Sequence, residues 1–152
     1  MELLLGLSLG LIGIVSGVYV SGLIHDHRIA DLSATQYVAM HQMRDKTFRN
    51  VMPALGITTF GLALISTVVG FSSGTPRLLG AATLMLLLID IAVAVSRQLP
   101  LNQKIQTWSE ATIPDDWELM SNQWAFHHTV RSMLGLAAFA CFLTAVLLTI
   151  GR

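Results

Sequence analysis

The sequence predicts an all-α integral membrane protein, a four-helix bundle in which helices 2 and 4 extend beyond the membrane. Apolar residues make up 53% of the 152 residues, and only 12% are charged, compared with roughly 25% in average soluble proteins. The mean hydropathy is +0.65. Four stretches also approach the length of about 20 apolar residues that a helix needs to cross the hydrocarbon core.

The four predicted spans belong to a single transmembrane domain, residues 1–152. They are residues 3–24, 53–71, 78–96 and 132–150. The first span is expected to be a retained helix and not a signal peptide, because it follows Glu2 where a signal peptide carries a basic leader, and because its apolar run is too long.

Two spans are expected to continue as longer helices. Ser33 followed by Gln36 is a capping-box signature, and the residues after it lead to Pro53, which either kinks this helix or begins a new one. Pro114 and the two aspartates after it would form a favourable first turn for the helix that enters span 4, because acidic residues are stabilised at the positive end of the helix dipole.

The distribution of basic residues predicts the orientation. The segments 25–52 and 97–131 lie on the same side of the membrane and contain most of the nine Lys and Arg residues. The positive-inside rule therefore places these longer segments in the cytoplasm and both termini outside, and we expect the bacterial inner membrane.

Composition also excludes several classes of site. Nine basic and nine acidic residues give a net charge of zero, whereas nucleic-acid binding requires a basic face. The single cysteine, Cys141, excludes an intramolecular disulfide and any metal site built from several cysteines.

Asp90 lies near the middle of span 3, where an aspartate costs about 2.5–3.5 kcal/mol on insertion scales. It is expected to face the interior, where it meets a partner or is protonated. Arg97 follows seven residues later on the same helical face. A structural hydrogen bond to a neighbouring helix and a functional acid are both open interpretations.

Other polar and aromatic residues share helical faces near the cytoplasmic boundary. His41 and Asp45 are four residues apart, so the carboxylate either orients the imidazole or forms an ordinary surface pair. His128 and Arg131 indicate a site, with structural or head-group contact as the alternative. On the same faces lie Phe48, Trp117 and Trp124.

Three motifs occur in order along the chain. They are Gln36–Gln42 leading to Val51–Pro53, Leu99–Asn102, and Asp116–Trp117 followed by Trp124, His128 and Arg131. In these motifs the chain resembles the anthrone oxygenase-like family of small four-span membrane proteins. The resemblance implies the fold and an enzyme that oxidises anthrones to anthraquinones with molecular oxygen.

The leading hypothesis is therefore an oxygenase or oxidase that acts on a small apolar, aromatic substrate and needs no cofactor. A base would remove a proton, and donors would stabilise the resulting enolate oxygen. His41 or His128 is expected to be the base, with Arg131 and Asn102 as donors; Asn102 has an alternative role as a helix cap. Asp90 or Asp45 is expected to orient a histidine. The residues expected to contact the substrate are Trp124, Trp117 and Phe48.

Two alternatives remain open. The protein could bind haem, copper or iron through His41 and His128, with His25 and His27 as weaker ligands or only an interfacial polar turn. It could also be a non-enzymatic assembly or lipid-binding subunit, including a homo-oligomer, in which the polar faces serve packing.

Overall fold

The computed structural model describes residues 1–26, 31–71 and 74–151, and every regular element in these ranges is helical. The helices are α1 (Glu2–Asp26), α2 (Ala34–Ile65), α3 (Thr75–Val93), α4 (Leu99–Gln106) and α5 (Trp117–Ile150). Two π-helical turns lie at Ser66–Gly70, after α2, and at Ala94–Gln98, between α3 and α4. The all-α prediction is confirmed.

Because α3, its π-helical turn and α4 follow one another directly, the described residues form four long helices, each long and apolar enough to cross a membrane. At 1.5 Å per residue, α5 is roughly 50 Å long, well beyond the hydrocarbon core of about 30 Å. The predicted extension of the second and fourth helices is confirmed. The third helix also continues, through α4 to Gln106.

The helix starts follow local sequence signals. Ser33 caps α2 by accepting a hydrogen bond from the Gln36 amide, and the Gln36 side chain accepts one from the Ser33 amide, as the capping box predicts. The helix then continues through Pro53. Helix α5 begins only at Trp117, so that Pro114 belongs to the preceding turn and not to the first turn of the helix.

Two apolar clusters pack at different levels. The cluster within the spans includes Leu5, Ile12, Phe71, Leu87 and Phe142. The cluster at the extended helix ends comprises Tyr37, Val38, Ile105 and Trp108. The buried polar residues described below lie mainly between these two clusters, on α1, α2, α4, α5 and the third helix.

Packing of α2 changes along its length. His41 and Asp45 are buried toward the N-terminal end of α2, and Thr59 and Ala63 are buried toward its C-terminal end. No residue in the intervening segment 46–58 is buried. Pro53 lies within this segment. We refer to residues 46–58 as the open segment of α2.

Close approach of the second and third helices depends on Gly80. A Cβ atom there would lie 2.8 Å from Thr67 Oγ1 and 2.9 Å from Phe71 Cδ2. We expect Gly80→Ala to lower the free energy of unfolding by about 1–3 kcal/mol, measured by unfolding in detergent micelles. The control is Gly56→Ala in the open segment, where no atom lies within 4 Å of the new methyl group. Equal losses in both variants would contradict the explanation.

Candidate functional site

The deeper polar cluster is centred on Arg131. Its Nε donates to Asp90 Oδ1 at 2.7 Å, and its Nη2 donates to Asp90 Oδ2 at 3.3 Å and to the Tyr19 hydroxyl. Its Nη1 donates to Gln98 Oε1, and the Tyr19 hydroxyl donates to Asp90 Oδ2 at 2.9 Å. We call Tyr19, Asp90, Gln98 and Arg131 the arginine cluster.

Asp90 faces the interior, as the sequence predicts, and of the two predicted alternatives the structure has a partner, which is Arg131. The ion pair compensates two charges that are costly to bury singly. Arg97 is exposed instead. The reason is the π-helical turn at 94–98, which takes more residues per turn than an α-helix and so directs Gln98, not Arg97, toward the pair.

A second cluster is centred on Asn102, which lies inside α4 and therefore does not cap a helix. Its Oδ1 accepts from Trp124 Nε1 at 2.7 Å and lies 3.2 Å from His41 Nε2, and its Nδ2 donates to Asp45 Oδ1 at 3.0 Å. Because the indole only donates and a carboxylate only accepts, the amide orientation is fixed, and His41 Nε2 must carry its hydrogen. We call His41, Asp45, Asn102 and Trp124 the asparagine cluster.

Asp45 thus shares Asn102 with His41 as a hydrogen-bond partner. It also accepts a bond from Arg49 Nη2 at 2.6 Å. Beside it lies an open groove of about 320 Å³, lined by Asp45, Arg49, Leu99, Asn102, Gln103 and Gln106.

The indole of Trp124 and the imidazole of His128 together connect the two clusters. His128 stacks on the indole, with ring centroids 4.9 Å apart, and His41 meets it nearly perpendicularly at 5.2 Å. The guanidinium carbon of Arg44 lies 4.2 Å from the indole centroid. His128 in turn makes an edge contact with Tyr19, at 6.1 Å between centroids.

Helix α1 approaches His128 closely at Gly22. A Cβ atom at this position would overlap His128 Nε2, so only glycine leaves room for the imidazole in this orientation. Helix α1 therefore helps to hold His128 in place, together with the stacked indole of Trp124.

The remaining predicted residues lie away from these two clusters. Trp117 packs against Tyr37, with ring centroids 5.2 Å apart, in the cluster at the helix ends. Phe48 is 38% exposed in the open segment of α2. His25 is exposed, with its Nδ1 2.7 Å from the Ser21 carbonyl oxygen, and His27 lies outside the described residues.

The two alternative haem ligands, His41 and His128, both pack against Trp124. A haem bound by both histidines would have to displace this indole, so the arrangement does not fit bis-histidine ligation. Within the described ranges, no group of three or more His, Cys, Asp or Glu residues is arranged to hold a metal ion.

A family model described as anthrone oxygenase matches residues 40–141, about two thirds of the chain. The chain belongs to the anthrone oxygenase family. The match contains every residue of the two clusters except Tyr19, which lies on α1. No curated protein and no solved structure gave a match.

Sequence reasoning did not single out Tyr19 or Gln98. Tyr19 continues the buried face of α1, which carries Ser8 and Ser16 at helical spacing, and this polar pattern is the signal that could have found it. Gln98 is uncharged and follows a conspicuous arginine, so neither charge nor α-helical spacing points to it.

Asn102 is expected to hold the asparagine cluster together. Asn102→Leu, of similar size, would leave the Trp124 N–H and Asp45 Oδ1 without this partner, and should lower the free energy of unfolding by about 1–3 kcal/mol. The tryptophan emission spectrum should change as well. Gln103→Leu, at the next, exposed position, is the matched control. Unchanged stability and emission in Asn102→Leu would refute the assignment.

Proposed function

We propose that the protein is a membrane oxygenase that oxidises a small apolar aromatic carbon acid of the anthrone type to a quinone, using molecular oxygen and no cofactor. The observation that carries the proposal is that the family match spans two largely buried polar clusters that Trp124 and His128 link to each other. Such a site offers a base and hydrogen-bond donors, which this chemistry requires.

The reaction balances without a further reductant. Removal of a proton from the methylene carbon opposite the ketone gives an aromatic enolate. Dioxygen takes an electron from the enolate and joins the same carbon, and protonation gives a hydroperoxide. Loss of water forms the second carbonyl group, so one oxygen atom enters the quinone and the other leaves as water.

We assign His128 as the base, because it lies one helical turn before Arg131 and is held by Trp124 and by the backbone at Gly22. His41 is the second candidate for this role. The asparagine cluster positions the indole that stacks on His128, and Arg131 contributes to stabilisation of the enolate oxygen through the hydrogen bonds of the arginine cluster.

The setting of the reaction is also part of the proposal. We expect the substrate and oxygen to arrive from the lipid bilayer of a bacterial inner membrane, with the longer connecting segments in the cytoplasm and both termini outside. The excess of Lys and Arg in those segments supports this orientation. A homo-oligomer is compatible with the proposal.

Oxygen uptake with 1,8-dihydroxyanthrone tests the function. The purified protein in detergent should form the quinone faster than detergent alone, and His128→Ala should lower kcat by about 10²–10⁴-fold because the base is lost. His25→Ala changes an exposed histidine outside both clusters and should leave the rate unchanged.

The variants separate the assignments. Full activity in folded His128→Ala, with loss in His41→Ala, would transfer the role of base to His41. A wild-type rate equal to that of detergent alone would reject the proposed function for this substrate class.

A further inference from the structure

The orientation of the Gln98 side chain is fixed by chemistry. Gln98 is 4% exposed, and its Oε1 accepts a hydrogen bond from Arg131 Nη1. A guanidinium has donors and no acceptor, so the amide oxygen must face Arg131 and the amide nitrogen must point elsewhere.

The amide nitrogen that points away is a buried donor without a partner. Among the residues that the structure describes, no acceptor lies within hydrogen-bonding distance of Gln98 Nε2. An unsatisfied buried donor costs about 1–3 kcal/mol, and such groups are rare in folded proteins, so each one calls for an explanation. Gln98 also ends a π-helical turn, a distortion that is frequent at functional sites.

The position of Gln98 along the helices indicates the side from which this donor would be approached. The second and third helices meet at two levels. Asp45 contacts Asn102 at one level, and Thr67 closely approaches Gly80 at the other. Gln98 falls between these contacts along the chain, at the level of the first residues of the open segment of α2, where no side chain is buried. In our inference, an apolar molecule that entered between the two helices at this level would approach Gln98.

We infer that Gln98 Nε2 donates a hydrogen bond to the ketone oxygen of the substrate, which becomes the enolate oxygen when the proton is removed. Gln98 is then a substrate-binding residue, and Arg131 is its positioning residue. The bond from Arg131 to Oε1 also polarises the amide and makes the N–H groups on Nε2 stronger donors. This inference rests on the proposed function and adds the residue that holds the substrate oxygen.

The test uses a stable oxyanion and does not depend on turnover. The probe is 4-nitro-1-naphthol, whose phenolate and phenol forms have different absorption spectra. A donor aimed at the oxygen favours the phenolate, so Gln98→Glu should raise the apparent pKa of the bound probe, because it replaces the donor by an acceptor. Gln103→Glu, with the same change of charge in the groove beside Asn102, should leave the pKa of the probe unchanged.

Oxygen uptake with 1,8-dihydroxyanthrone gives a second readout. Loss of one donor to a developing oxyanion should lower kcat by about 100-fold in Gln98→Glu, and Gln103→Glu should keep the wild-type kcat. Unfolding in detergent checks that both variants are folded. Gln98→Met keeps the side-chain length without the amide, and it is the variant to use if Gln98→Glu does not fold.

The outcomes distinguish this inference from the proposed function. A raised probe pKa in the Gln98 variant alone supports the inference, even if wild-type protein does not oxidise the anthrone. Oxidation by wild-type protein with an unchanged probe pKa and kcat in the folded Gln98 variants overturns the inference and leaves the function intact. Equal effects of the Gln98 and Gln103 substitutions would place the oxyanion in the groove and also overturn it.

Discussion

A carboxylate and a guanidinium that are buried among apolar helices are stable there only as an ion pair. The packing of the helices in the interior depends largely on this pair. Asp90 comes from α3 and Arg131 from α5, and the hydroxyl of Tyr19 on α1 bonds to both. The requirement to neutralise one intramembrane charge therefore fixes three helices relative to one another. It also sets the rotation of α5, and with it the direction of His128 one turn earlier.

The fold was largely accessible from the sequence, because the length of apolar runs and the capping box at Ser33 report directly on helices. Helical spacing also paired His41 with Asp45, and the Leu99–Asn102 motif of the family resemblance pointed to Asn102; the structure brings these three residues together. Pairing between helices was less accessible. Arg97 was placed beside Asp90 by a spacing rule that assumes uninterrupted α-helix, and the π-helical turn at 94–98 breaks that assumption.

Phe48 shows a second limit of periodicity. It lies seven residues after His41 and shares its side of α2, but a shared face implies burial only where another helix covers it. The neighbouring helices cover α2 at His41 and Asp45 and leave the open segment uncovered, so Phe48 is exposed. Trp124 shows the opposite case. Its indole N–H bonds to Asn102 and its ring face stacks on His128, which contacts Tyr19, so Trp124 and His128 together link the asparagine cluster to the arginine cluster.

The open segment of α2 has a consequence for how the substrate concentration should be expressed. In the proposed route, a molecule that reaches Gln98 between the second and third helices arrives from the lipid at the cytoplasmic boundary of the membrane. Its effective concentration is its mole fraction in the membrane, and oxygen, also more soluble in hydrocarbon than in water, is supplied from the same phase. Adding lipid at constant total substrate would therefore lower the mole fraction of the substrate in the membrane around the protein. Its concentration per volume of sample would not change.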